Sequence, residues 1–560
     1  MRGLGRVWAA AAASLLAVAL VACGGLPTSG PVVAGGPISQ EDAGSVPVFI
    51  PDRPTKDATP QQIVEGFIAA GSGPLNNWET AQLFLAPAFA SEWNPRAGVT
   101  VYAPGERTLQ QTSETSFSLT VTPVGSVDEA GQLTAGNGGA AALSYTLARQ
   151  DDGQWRITQA PQGIVLDRNS FEQVFGGYAL QFFDPTWTYL VPDQRWFPRL
   201  YAPTRIAEAL VDGGPSDWLS GAVATAFTDG ARLAQVSVPV RSGVATVSLE
   251  DGARALDADA LDRMQTQLTA SLKQTSGIAE VDMQVDDQPL RAQVLSTRET
   301  RVDSRPLVRT STAFGFAGSS IEQLPGLSDA IMLVPATDIE VDADRTSAAV
   351  RDGTGAVWRV TQDGVRARLD ARAGLVAPSI DPSGYIWSVP QDAPGAVAAW
   401  APDGTRVDVA AAWPGALRIA SQRVSRDGTR IAAIIRDGDR SALWVASILR
   451  TRDGAPTALG SVRLVAEFAA PASALTWVDS STLALLTDVN GDPYVYTQDV
   501  GGFGSFVRAP AGITTIAGGT LSGGVRLRDD AGEVFTRSGA NWQQLTTGAD
   551  VLAIQQGTPR

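Results

Sequence analysis

"SRDGTRIAAIIRDGDRSALWVASILR", residues 425–450, decides the fold of the larger part of this 560-residue chain. It opens on a polar turn at Asp427 and Gly428, runs on as a strand, and after a second turn gives another strand, "SALWVAS" from 441. The same opening recurs at "DADRTSAAV" (342–350), "DPSGYIWSV" (381–389), "VDSSTLALLT" (478–487) and "LSGGVRLRD" (521–529). Second strands follow as "GAVWRV" from 355 and "DPYVYTQ" from 492. Helical periodicity is absent from about 311 onward.

Openings that return every 40 to 50 residues have the spacing of four-stranded propeller blades. Residues 311–557 therefore predict a degenerate β-propeller, with five or six blades at roughly 45 residues each.

Upstream the text mixes helix and strand. Residues 184–300 open with "WTYLVPDQRWFPRL", pass through a helix "TRIAEALVD" (204–212), and reach two alternating strands around Ser242 and Gly243. A helix "DADALDRMQTQLTASLKQT" then sets Leu261, Met264, Leu268 and Leu272 on one stripe, and "IAEVDMQVDDQPL" closes the unit as strand and turn. This order, with "SGVATVSL" (242–249) before the helix, resembles the GerMN domain, which implies a small α/β binding or assembly module. A generic ββαβ packing unit would bury the same residues.

Residues 59–180 begin with a helix capped by Thr59, with Pro60 at its first position, Gln62 where a capping box wants it, and Ile63, Val64, Phe67 and Ile68 on one face. A second helix is expected over 77–93 and strands over 99–103, 116–124, 141–149 and 155–160. Helices followed by a curved antiparallel sheet resemble the NTF2-like cone, which implies either a packed core or a small-ligand cavity. The fold class is thus multidomain: NTF2-like α+β, GerMN-like α/β, then the all-β propeller.

The amino terminus predicts an address. Arg2 and Arg6 precede an apolar run from Val7 to Val21, too short to span a bilayer comfortably and shaped like a cleaved signal over residues 1–22. Leu20, Val21 and Ala22 before Cys23 resemble the bacterial lipobox. That resemblance implies cleavage between Ala22 and Cys23, with Cys23 carrying S-diacylglycerol and an N-palmitoyl group. Two or more chains hold a protein at a membrane where one holds only marginally. Residues 24–58, rich in Gly, Pro, Ser and Asp, read as a tether following the lipidated Cys23.

Cys23 is the only cysteine, so disulfides and a thiol nucleophile are not available to the rest of the chain. There are 58 acidic and 43 basic residues, for a formal charge of −15, which argues against nucleic acid as a partner. Histidine is absent, removing the commonest general base and the usual nitrogen ligand for zinc. No catalytic, cofactor-binding or metal-binding residue is assigned, and the chain is expected not to be an enzyme.

Two rivals are built on carboxylates. Sialidases are propellers that need no histidine, but "SIDPSGYIW" (379–387) has one residue too many between Asp381 and Gly384 for an Asp box. "SRDGTR" has one too few between Asp427 and Gly428. Both read better as hairpin turns. "DVNGD" (488–492) hints at calcium without the spacing of a calcium hand. Trp358, Trp387, Trp400, Trp413, Trp444 and Trp477 read as packing between blades, with a sugar platform or a protein-binding anchor as the sharper options.

Lipobox, tether, NTF2-like unit, GerMN-like unit and propeller in this order, with "FLAPAFASEWNP" (84–95), together resemble the actinobacterial LpqB lipoprotein family over nearly the whole chain. The resemblance implies an extracytoplasmic protein, lipid-anchored to the cell membrane and accessory to the MtrA/MtrB two-component system. Its implied partner is the extracytoplasmic domain of an MtrB-like sensor kinase, and its implied processes are envelope homeostasis and division. A carbohydrate hydrolase or glycan binder, and a small-ligand carrier using the cone, remain the other readings.

Overall fold

A computed structural model describes residues 49–136, 138–228, 231–411, 413, 417–519 and 524–559. Residues Val46–Arg560 cluster as one compact unit. The lipobox positions Leu20 to Cys23 and residues 24–48 of the expected tether lie outside the described residues, whereas the end of the expected tether belongs to the folded unit: Asp57 is bonded to Gln154 through both its amide and its carboxylate, and Ala58 is buried in the amino-terminal core. Among the described residues no helix is long and apolar enough to cross a membrane.

The first helix, α1 (Pro60–Ala70), starts as its sequence dictates: the Thr59 hydroxyl accepts from the Gln62 amide while the Gln62 side chain accepts from the Thr59 amide. Its face of Ile63, Val64, Phe67 and Ile68 is buried. The helix expected over 77–93 is instead broken into α2 (Leu75–Gln82) and α3 (Pro87–Ala90). Within α2, Asn76, Asn77 and Trp78 take φ of 47°, 58° and 58°, a left-handed turn, and Pro87 cannot continue a helix begun before it. Strands β1 (Gly98–Ser113), β2 (Ser116–Asp128), β3 (Leu133–Ala135), β4 (Ala141–Arg149), β5 (Trp155–Gln159) and β6 (Ile164–Asp167) make one sheet, ordered β5-β4-β2-β1-β6 with β3 on β2. The helices cover it around Phe67, Trp93 and Tyr145, whose rings meet edge to face. The NTF2-like resemblance rests on this element order alone.

After α4 (Arg168–Val174), β7 (Phe175–Phe183) and β8 (Leu190–Pro198) form a hairpin. Helix α5 (Ala202–Glu208) leads to a sheet ordered β12-β11-β10-β9, made of β9 (Val240–Arg241), β10 (Val244–Ser248), β11 (Glu280–Val285) and β12 (Gln288–Pro289). β10 and β11 are parallel, so helix α6 (Ala258–Leu272) crosses between them. Met264, Leu268 and Leu272 pack with Leu180, Phe182, Val247 and Met283. The free backbone of β7 is not left bare: Gln267, Ser271 and Gln274, on or just past α6, bond the main chain of Gln181 and Ala179. The first of the two strands expected around Gly243 shortens to β9, whose Val240 is exposed.

The carboxyl-terminal region is a propeller of six blades, the sixth and first joined into one seven-stranded sheet by parallel pairing of Val551–Gln555 with Ala336–Val341. Blades 1 to 5 have four strands each, over residues 336–370, 379–408, 418–468, 472–508 and 513–546. The sixth is closed by two distant pieces of chain: Val551–Gln555 pairs antiparallel with Leu307–Arg309, which pairs with Phe314–Phe316. A short helix, α7 (Leu327–Met332), follows that pair. The first strands of blades 1 to 5 and Val551–Gln555 neighbour one another in a closed circuit, which is what six blades around one axis require. The segment before Leu307 straps across the ends of these strands. Thr300 O accepts from Arg426, Asp303 O and Ser304 O accept from Arg526, and Val302 is buried.

Candidate functional site

The aspartates singled out in the sequence are committed to the turns that carry them. Asp381 Oδ1 accepts from the amides of Ser383 and Tyr385 at 2.9 Å each, and Oδ2 takes the Trp387 indole at 3.0 Å and Arg450 at 2.6 Å. Asp427 accepts from the Thr429 amide and is paired with Arg430, both side chains being fully buried. Burial opposes its charge, yet Arg430 and the Thr429 donors hold its carboxyl below the usual carboxylate range. Asp342, Asp352 and Asp479 cap the same kind of turn. At 488–492, Asp488 accepts from the Gly491 amide and Asp492 pairs with Arg508. Among the described residues no three acidic side chains gather as metal ligands.

The tryptophans divide by depth. Trp387 is wholly buried, and Trp413 and Trp477 nearly so. Trp358, Trp387, Trp400 and Trp477 donate their indole N–H to Asp352, Asp381, Ser388 and the Arg423 carbonyl respectively. These bonds fix them as packing between and within blades.

The residues that join the modules lie elsewhere, on the β7–β8 hairpin. Its inner face joins the second core through Tyr178, Leu180 and Phe182. Trp196 on β8 donates its amide N–H to Gly131 O (2.7 Å) and its indole N–H to Gly501 O (2.8 Å) in blade 4. Its ring lies 5.0 Å from Phe171 and 5.7 Å from Phe503, over which Arg168 stacks at 4.7 Å. Pro192 O accepts from Arg430 of blade 3, and Leu133 O accepts from Arg463 of the same blade. Beneath, buried Asp193 accepts from Ser216 N (2.8 Å) and Ser216 Oγ (2.7 Å) and pairs with Arg195 at 2.7 Å. Arg195 in turn donates to Ala130 O. Trp218 and Leu219 enter the apolar core between blades 3 and 4. One hairpin thus touches all three modules. No local pattern marks it, because its partners are tens to hundreds of residues away in sequence.

Two clefts flank this framework. A shallow one, of about 40 Å³, lies between the amino-terminal sheet and the hairpin. It is walled by Trp78 of the left-handed turn, Phe175, Trp196 and Tyr201, with Arg96 and Arg205 at its rim. Left-handed backbone at non-glycine residues is costly and persists only where surroundings enforce it. Here the Trp78 indole is bonded to Gly71 O and the Asn76 amide to the Tyr201 hydroxyl. The other cleft, of about 200 Å³, separates blades 4 and 5. In the amino-terminal domain a pocket beside Phe67, Trp93 and Tyr145 has about 10 Å³, barely the space of one water.

Near the propeller axis buried charge is concentrated. Glu340 Oε1 accepts from Ser379 Oγ (2.6 Å), the Ile380 amide (3.0 Å) and the Gln556 side chain, while Oε2 faces Arg423 at 3.6 Å. Arg426 has three carbonyl partners, those of Thr300, Trp477 and Gly519, and burial pulls its guanidinium down to about 10. These bonds tie the first strands and the strap together.

Comparison with known proteins follows this three-part layout. Residues 53–172 match the family "Lipoprotein LpqB, N-terminal domain", residues 307–552 match "Lipoprotein LpqB beta-propeller domain", and residues 179–291 match "Sporulation and spore germination". A "Lipoprotein LpqB" of Bifidobacterium longum is 28% identical over 99% of this chain and 100% of its own length. One of Streptomyces coelicolor is 26% identical over 95% of each chain. One of Thermobifida fusca is 30% identical over 50% of this chain and 47% of its own.

Proposed function

Since this chain belongs to the LpqB lipoprotein family, we propose that it is a lipid-anchored binding protein on the extracytoplasmic face of the cell membrane, where it modulates a sensor histidine kinase. Cys23 is the anchor, bearing diacylglycerol and palmitate after cleavage behind Ala22. The partner is the extracytoplasmic domain of an MtrB-like kinase in a two-component system that governs envelope homeostasis and division. It acts by contact, not by turnover.

The observation that carries this reading is the hairpin. Because β7–β8 is bonded to the amino-terminal sheet through Gly131, to α6 through Gln181 and to the propeller through Gly501, a partner held on one module is oriented relative to the others. A rigid body of this kind can favour one conformation of a kinase over another, provided it binds the two with different affinity. The absence of histidine and the commitment of the propeller aspartates to turns support contact over catalysis.

Crosslinking in intact cells, followed by identification of the captured proteins, tests the partner. The kinase is expected among them, and phosphorylation of its regulator changes when the lipoprotein is deleted. Cys23→Ala is expected to move the protein into the soluble fraction and abolish labelling by a fatty-acid analogue. Capture without the kinase, or retained labelling, removes the corresponding half of the reading.

A further inference from the structure

The seam between blades 4 and 5 opens into a cleft. In the two preceding seams large side chains fill the space between sheets: Trp387 in that of blades 2 and 3, Phe468 and Trp477 in that of blades 3 and 4. Between blades 4 and 5, Leu486, Ile516 and Leu527 close part of the seam, and the positions around the cleft carry smaller residues. Val478, Val495 and Val525 are buried and form an apolar floor. Thr497 and Val507 rise from blade 4, and Trp542 stands opposite on the outer strand of blade 5, all half-buried. The Trp542 indole donates to Arg508 O at 2.8 Å, which pins the ring across the two blades at the mouth.

The volume left open, about 200 Å³, suits a ligand and not just solvent. An apolar cavity of roughly 150 Å³ already takes up a benzene ring. The mouth has the opposite chemistry. Arg537 is exposed there; its Nε donates to Gly539 O at 2.9 Å, and it forms no ion pair among the described residues. A guanidinium with free Nη donors beside an apolar chamber favours an anion, since its fork matches carboxylate and phosphate oxygens. An apolar enclosure with one convergent charged group is the usual form of a small-molecule site.

We propose that the cleft between blades 4 and 5 binds a small anionic amphiphile, with a ring-sized or short-chain body on the valine floor and its acidic group at Arg537. The ring of Trp542 covers the body from one side. Nothing in this depends on the kinase contact, so the two readings fail separately.

The test uses residues 46–560, the compact unit, titrated calorimetrically with hexyl phosphate. Hexyl glucoside, inorganic phosphate and vesicles containing phosphatidylglycerol are titrated in parallel. Saturable one-to-one binding of hexyl phosphate is expected, at least about tenfold tighter than that of hexyl glucoside, because a hydrogen bond to a charged group is lost in the glucoside. Arg537→Gln, an exposed change, is expected to weaken hexyl phosphate by about tenfold or more. Val507→Trp, which fills the cleft from its rim, is expected to abolish binding while the thermal transition is retained. The proposal is overturned if hexyl phosphate does not bind, if the glucoside binds equally well, or if binding survives both substitutions. It is also overturned if only the vesicles, and not the free amphiphile, associate.

Discussion

Trp196 donates its indole N–H to the carbonyl of Gly501, 2.8 Å away across 305 positions of sequence. The same ring contacts Phe171 and Phe503, so a residue of the fourth blade is drawn onto the core of the first module. Trp196→Phe keeps most of the ring and loses the bond, and is expected to cost about 1 kcal/mol. Trp196→Ala also removes the packing and is expected to cost about 3 kcal/mol. Calorimetry of the Ala variant is expected to split one melting transition into two, as the propeller uncouples from the modules before it. A single transition at the original temperature shows that the bridge carries no coupling.

Much of the fold was open to sequence reading, and the reason is local. The capping box at Thr59, the stripe Leu261, Met264, Leu268 and Leu272, and the turn-strand repeats around Asp381 and Asp427 each lie within one element, where period and turn chemistry act directly. What stayed hidden was long-range or strained. Leu307–Arg309 has no repeat signature, and only pairing with Val551–Gln555 makes it part of the sixth blade. The left-handed turn at Asn76, Asn77 and Trp78 contradicts the local helical pattern and is held by Tyr201 and Gly71. The stretch before Cys23 that resembles a lipobox lies outside the described residues. The amphiphile cleft exists only where two blades face each other.

Asp427 and Arg430 form a buried pair whose removal by halves is costly. Arg430 also donates to Ser480 O at 2.6 Å and lies 5.0 Å over the Trp477 ring. Arg430→Met leaves the Asp427 carboxylate enclosed without its partner, and a loss of about 3–5 kcal/mol is expected. A denaturant midpoint shifted by less than a surface substitution shifts it would show that water reaches the site and replaces the guanidinium.

Asp303 belongs to the strap, and its carboxyl is held down at about 2. The Arg305 side chain is the main cause, working against partial burial, with Arg345 adding attraction. A carboxylate depressed from 3.8 contributes stability that is fully present above about pH 4 and is lost as the pH falls toward 2. The wild-type strap is therefore expected to loosen over that interval, read as hydrogen exchange at 300–306. Asp303→Asn is expected to show faster exchange there at neutral pH and a flatter response below pH 4. Equal acid responses in the two proteins would place the transition on another carboxylate.

Arg426 gathers three carbonyls from three places: Thr300 of the strap (3.0 Å), Trp477 of blade 4 (3.0 Å) and Gly519 beyond the first strand of blade 5 (3.3 Å). Only a planar fork reaches all three. A lysine ammonium is a point donor on a flexible stem and keeps one or two at best. Arg426→Lys is expected to cost about 2–3 kcal/mol, from one or two lost charge-assisted bonds. Arg426→Met, of similar girth, strands every carbonyl in a dry site and is expected to cost more, with protease cutting of the strap rising in the same order. The order is the decisive feature. If methionine proves milder than lysine in both melting and proteolysis, Arg426 serves the axis by filling space, and the strap is held by Arg526 at Asp303 and Ser304.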